Sequence, residues 1–289
     1  MQFCKRLLIT AIFILTISGF DKCAFSAYPD LIQDGKIHPA IEEIAKIIAP
    51  HEALPSDSDL EAWNNFLQKN FLRPPGDDHQ EAQKASQHAR HSDLLPHFKV
   101  LGLIDAIRPG KQEFDVIVIF GGTPWDTAER FFWTNHLIAD GIKTKGFMYI
   151  NGKRILKSSE LEWLKCRGFE GVTYQHESAQ TLWDSSDLKK FPITILTVDP
   201  PAERRANTED TLKAFLTYAK DHGIRNALFI TNGPYGPYQF ETALHIIKDE
   251  LQFEGSSSTT KSDISTISLT DTIARRFYTI VQNMRTRSS

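Results

Sequence analysis

Cysteine is scarce. Three cysteines in 289 residues, at positions 4, 23 and 166, are too few for a disulfide framework. There is no excess of basic charge: 33 Lys and Arg stand against 36 Asp and Glu, a net charge of −3. Duplex nucleic acid is therefore not an expected partner. The apolar run Leu7–Phe20 is 14 residues long, short of the roughly 18 that a spanning helix needs. No Walker lysine loop, complete GxGxxG, GxSxG elbow, HExxH or CxxC is present. Their absence argues against a P-loop NTPase, an ordinary dehydrogenase, an elbow-serine hydrolase and a zincin. What is present is an ordinary globular balance, 41% hydrophobic and 24% charged, which excludes a wholly disordered, multi-span or collagen-like chain.

Residues 1–27 read as an export signal. Lys5 and Arg6 precede the apolar run, and Ala24-Phe25-Ser26-Ala27 supplies small residues for cleavage. As a helix the run rises roughly 21 Å, against a hydrocarbon core of about 30 Å. A cleaved signal and a periplasmic or secreted protein are expected. An uncleaved signal would give weak membrane association through residues 7–20. Removal of residues 1–27 takes away three cations and one carboxylate, leaving a net charge of −5 and Cys166 as the one thiol. A lone thiol in an oxidising compartment is expected to be buried or protected, and structural rather than a nucleophile.

Residues 28–112 read as a helical N-terminal region and 113–289 as an α/β domain. Ile37, Ile41, Ile44, Ile47 and Ile48 repeat at helical spacing before Pro50. Ser58 and Glu61 resemble a capping box ahead of Trp63, Phe66, Leu67 and Phe71. Arg73-Pro74-Pro75-Gly76 breaks the chain. A polar helix is expected over 77–91, followed by an apolar one around Leu94, Phe98 and Ile104. His88 and His91, three apart, are spaced for one metal, but nothing completes a ligand set, so a solvated face is the expected reading and no metal is assigned.

From residue 113 strands and helices alternate. Strands are expected at 115–120, 147–150, 193–198 and 227–231, with a short edge strand at 251–254. Helices are expected at 124–140, 158–167, 208–222 and 237–250. A polar mobile loop over 256–268 and an amphipathic helix over 270–284 close the chain. Residues 168–192 fit poorly, and read as an insertion with a short strand at 172–174 and a helix at 179–184. The alternation predicts a doubly wound, mostly parallel sheet.

In such a sheet ligands bind beyond the carboxyl ends of the strands. The first exit is Gly121-Gly122-Thr123-Pro124, where Thr123 can cap the next helix and Arg130 can reach back from two turns in. The second is Asn151-Gly152-Lys153-Arg154. The third carries Arg204, Arg205, Asn207, Thr208 and Glu209, and capping alone also explains Asn207 with Asp210. The fourth carries Thr231, Asn232, Tyr235 and Tyr238. Arginines gathered at one edge of an acidic chain point to a small anionic ligand such as a phosphate. Glu209 is the candidate for proton transfer.

The strand into Gly121-Gly122, Arg130, Asn207-Thr208-Glu209-Asp210-Thr211 and Thr231-Asn232-Gly233-Pro234-Tyr235 together resemble the YdcF/SanA/ElyC-like family. A longer branch is resembled more closely, through Thr208-Glu209-Asp210-Thr211, Pro234-Tyr235-Gly236-Pro237-Tyr238-Gln239 and Asp271-Thr272-Ile273-Ala274-Arg275-Arg276-Phe277-Tyr278. The resemblance covers roughly residues 94–281. It implies a Rossmann-like fold, a role in cell-envelope maintenance, and a site at Gly121, Gly122, Arg130, Asn207, Thr208, Glu209, Thr231 and Tyr235. The family's usual Ser-Gly-Gly after the second strand is replaced by Ile150-Asn151-Gly152, and its usual His and Arg after the fourth strand are absent from Gly233–Gln239. No cofactor is identified. The leading expectation is an exported protein binding a phosphorylated ligand. The rivals are a non-catalytic interaction protein that docks a partner through the N-terminal helices, and a secreted effector.

Overall fold

A computed structural model describes residues 28–73, 91–201, 204, 206–247, 250–262 and 264–288. The signal at 1–27, the polar helix up to residue 90, His88 and Arg205 lie outside the described residues.

Five strands form the central sheet: β1 Val116–Phe120, β2 Phe147–Gly152, β3 Ile193–Val198, β4 Asn226–Asn232 and β5 Gln252–Ser258. All pair in parallel, in the order β3-β2-β1-β4-β5. β1 is buried along its whole length, as its continuous β-branched run requires of a strand covered on both faces. Its alternate residues serve two cores. Ile117 and Ile119 pack with Phe131, Leu137, Leu164, Leu182 and Trp183. Val116, Val118 and Phe120 pack with Leu212, Phe215, Phe240 and Ala243.

The helices around these cores, in chain order, are α1 Pro39–Ile48, α2 Leu60–Asn70, α3 His91–Val100, α4 Pro124–Ala139, α5 Ser158–Lys165, α6 Gln175–Ser185, α7 Thr208–Asp221, α8 Gly236–Ile247 and α9 Thr266–Ser288. α4, α5 and α6 follow β1 and β2 and cover one face, while α7 and α8 follow β3 and β4 and cover the other. The connections therefore reverse between β1 and β4, the switch point of a doubly wound, Rossmann-like fold. A third core joins α1, α2 and α3 to α9 through Ile41, Ile44, Trp63, Leu67, Phe98, Ile273 and Phe277. None of the described helices is long and apolar enough to cross a membrane.

Several local expectations are corrected. Asp59, not Ser58, caps α2 by accepting from the Ala62 N–H at 3.0 Å, because the helix starts one residue later. The stretch 256–268 is a loop only in its middle: β5 runs to Ser258 and α9 begins at Thr266. Ser256, Ser257, Ser265 and Ser268 within it are buried. Ser256 Oγ accepts from Trp133 Nε1 at 2.9 Å and donates to the Ile107 carbonyl at 2.7 Å. In the insertion, Tyr174 makes a single bridge to Ile155, and α6 starts four residues earlier than expected. Cys166 is exposed rather than buried, since it ends α5 on the solvent side.

Candidate functional site

Where β1 to β4 end, their exits enclose a cleft of 370 Å³. The chain turns at Gly121 against the neighbouring strand. A Cβ there would lie 2.6 Å from the Asn151 Cβ, and one at Gly122 would lie 2.9 Å from the Asp126 Cβ. No side chain fits at either position, so β1 and β2 can leave the sheet side by side. Thr123 then caps α4. Its Oγ accepts from the Asp126 N–H at 3.3 Å and donates to Asp126 Oδ2 at 2.6 Å.

Arg130 reaches back from α4 and is 2% exposed. Nη1 donates to the carbonyls of Phe120 and Gly121 at 2.6 and 2.8 Å. Nε and Nη2 donate to Asn232 Oδ1 at 2.9 and 2.6 Å. Asn232 Nδ2 donates in turn to Asp126 Oδ1 at 3.1 Å. This is a latch across the switch point, joining the exit of β1 to the end of β4. Arg130 therefore contributes its charge to the cleft floor, while its Nε and both Nη atoms are engaged by the fold.

The β2 exit supplies the other cations. Arg154 forms a fork to Glu160, Nη1 to Oε2 at 2.6 Å and Nη2 to Oε1 at 2.5 Å. Glu160 is 1% exposed and also accepts from the Lys157 N–H at 2.8 Å. Lys153 pairs with Asp199 at 3.2 Å on the surface. Asn151 is buried, its Oδ1 accepting from Thr197 Oγ1 at 3.0 Å.

Gly121, Gly122, Thr123, Arg130, Asn151, Asn207, Thr208 and Tyr235 thus come together as lining of one cleft. Others do not. Thr231 and Asn232 are buried behind it, Thr231 donating to Gln239 Oε1 at 2.5 Å. Arg204 does not line the cleft and forks to Asp210 at 2.6 and 3.0 Å. Glu209 is half-buried and pairs with Lys213 at 2.6 Å. It is the second residue of α7 and does not line the cleft, so the geometry does not bring the expected proton carrier there. The Gly122 amide faces the buried Tyr149 hydroxyl at 3.4 Å. Burial raises the Tyr235 pKa, so its hydroxyl stays protonated.

Sequence reasoning missed Trp125, Asp126, Lys157, Glu160 and Gln175 as lining. Asp126 had a signal, since it stands third in the helix that Thr123 caps. Gln175 had none. It sits in the poorly patterned insertion and donates to the Gly122 carbonyl at 2.6 Å. Among the described residues no three His, Cys, Asp or Glu side chains gather as metal ligands.

No protein-family model matches the chain, and no curated protein matches it. Among solved structures, chloroplast FtsY from Physcomitrella patens is similar over 88% of this chain and 87% of its own, at 14% identity and a TM-score of 0.26. A likeness that loose says nothing about function.

Proposed function

We propose that this chain is an exported, YdcF-like protein whose cleft binds a small anionic, phosphorylated ligand in the service of the cell envelope. One observation carries the binding reading: four cationic side chains (Arg130, Lys153, Arg154 and Lys157) against two carboxylates (Asp126 and Glu160) line a cleft in a chain whose net charge is −3. A local field opposite to the net charge attracts an anion when low-dielectric walls focus it. Two helix starts, α4 and α7, meet at the same edge and add their positive dipole ends. Export rests on the pattern of residues 1–27 and the envelope role on the family resemblance. The proposal is binding rather than catalysis, because Glu209 lies outside the cleft and Glu160 is held by Arg154.

The test is thermal unfolding with inorganic pyrophosphate. Ligand bound to the folded state alone raises its stability by about 2.7 kcal/mol at a hundred times Kd. The wild type is expected to melt higher with pyrophosphate, and less so as salt rises. The double variant Lys153→Glu, Lys157→Glu is expected to lose that rise. A control reversal at Lys143 and Lys145, outside the cleft, is expected to keep it. Equal responses in both double variants would show that the cleft is not where the anion binds.

A further inference from the structure

The cationic edge is only part of the lining. Trp125, the second residue of α4, borders the cleft from one side, and Tyr235 and Tyr238, beyond β4, border it from another. Trp125 is half-buried and meets Trp163 edge to face, with centroids 6.2 Å apart and planes at 65°. The Trp163 ring is itself covered by the Arg167 guanidinium, 3.7 Å from its centroid. The indole of Trp125 is thus braced from behind.

An inorganic phosphate has no use for these rings. Setting a hydrated anion against an apolar surface costs free energy without a compensating partner. Nor does a bare ion fill the space. A water's share of liquid volume is about 30 Å³, and an ion the size of a few waters leaves most of the 370 Å³ empty. Aromatic faces gain from a ring laid against them, whether the flat face of a base or the apolar C–H face of a sugar. A cationic ring or a quaternary ammonium would face the positive lining and be repelled. Resting on the anion-binding reading, we propose that the ligand is a ring carried on a phosphate or pyrophosphate, with the ring against Trp125 and the anion at the β2 exit.

A sugar phosphate and a nucleotide share this chemistry, and calorimetric titration of the full chain separates them. The probes are inorganic pyrophosphate, a hexose 1-phosphate and a nucleoside diphosphate. At least one ring-bearing probe is expected to bind about tenfold or more tighter than pyrophosphate, and the tighter of the two identifies the source of the ring. Trp125→Leu keeps apolar bulk but removes the aromatic face. It is expected to weaken that probe by about tenfold and to leave pyrophosphate within about twofold, while Trp125→Phe restores most of the loss. If pyrophosphate binds as tightly as either ring compound, or Trp125→Leu weakens all three alike, the ring is not recognised and only the anion site stands. If none of the three binds, both readings fall together.

Discussion

A guanidinium that is 2% exposed must find its solvation inside the protein, and Arg130 finds it in two carbonyls and one amide oxygen. Removing it leaves the Phe120 and Gly121 carbonyls and the Asn232 side chain short of donors, at about 1–3 kcal/mol for each group that stays buried and unpaired. Arg130→Ala is therefore expected to lower the unfolding free energy by roughly 3–5 kcal/mol, read from the urea midpoint at unchanged slope. Arg130→Lys is expected to recover little, because an ammonium lacks the fork that serves three acceptors at once. A double-mutant cycle with Asn232→Ala should give a coupling of about 1–3 kcal/mol. A variant as stable as the wild type would mean that the latch contributes nothing. The arginine is visible in the sequence as a charge two turns past a glycine pair. Its function as a latch is not, because its partner stands 102 residues later and no local pattern joins the two.

The same limit operates on whole elements. The buried strands β1, β2 and β4 are legible because continuous apolar runs have few other uses, and the glycine turn and helix caps are legible because their chemistry is local. β5 is half hidden. Its Ser256, Ser257 and Ser258 look like loop residues until Trp133, Ile107 and Glu129 supply their partners. Thr266–Ser288 carries an analogous hidden contact. Asp271, 4% exposed, receives Arg275 Nε at 2.8 Å and the Arg73 N–H at 3.2 Å. Burial pushes its pKa up, but the hydrogen bond and charge of Arg275 and the charge of Arg73 outweigh burial and hold it below the ordinary aspartate value. A folded pKa below the unfolded one means stability that is complete above about pH 3.9 and is lost as pH falls toward the folded value. Asp271→Asn is expected to cost roughly 2–3 kcal/mol at neutral pH. The gap to the wild type should narrow as pH falls below about 3.9, and a gap that stays constant to pH 2 would rule out the carboxylate as its source.

Across the whole molecule, a cut between residues 112 and 113 follows the order of the chain but not the order of packing. α9 comes last and closes the core of the first region, where Leu269, Ile273, Phe277 and Val281 pack with Ile41, Trp63 and Phe98. It also binds both across the boundary and to α8 on its own side of it. Gln68 Nε2 donates to the Ala274 carbonyl at 3.0 Å, Arg276 Nη1 to the Pro29 carbonyl at 3.0 Å, and Arg276 Nε lies 3.6 Å from Glu241 on α8. The helical layer cannot form its core without the chain's end, and that end is held against α8, which covers one face of the sheet. The two layers should therefore unfold as one unit. Phe277→Ala, which empties a site with no solvent exposure, is expected to cost about 3–5 kcal/mol. The loss should appear equally in far-ultraviolet circular dichroism, which follows all the helices and strands, and in the near-ultraviolet signal of the sheet's packed aromatics. Two separate transitions, with only the lower one moved by Phe277→Ala, would show instead that the sheet stands without its helical layer and that α9 belongs to that layer alone.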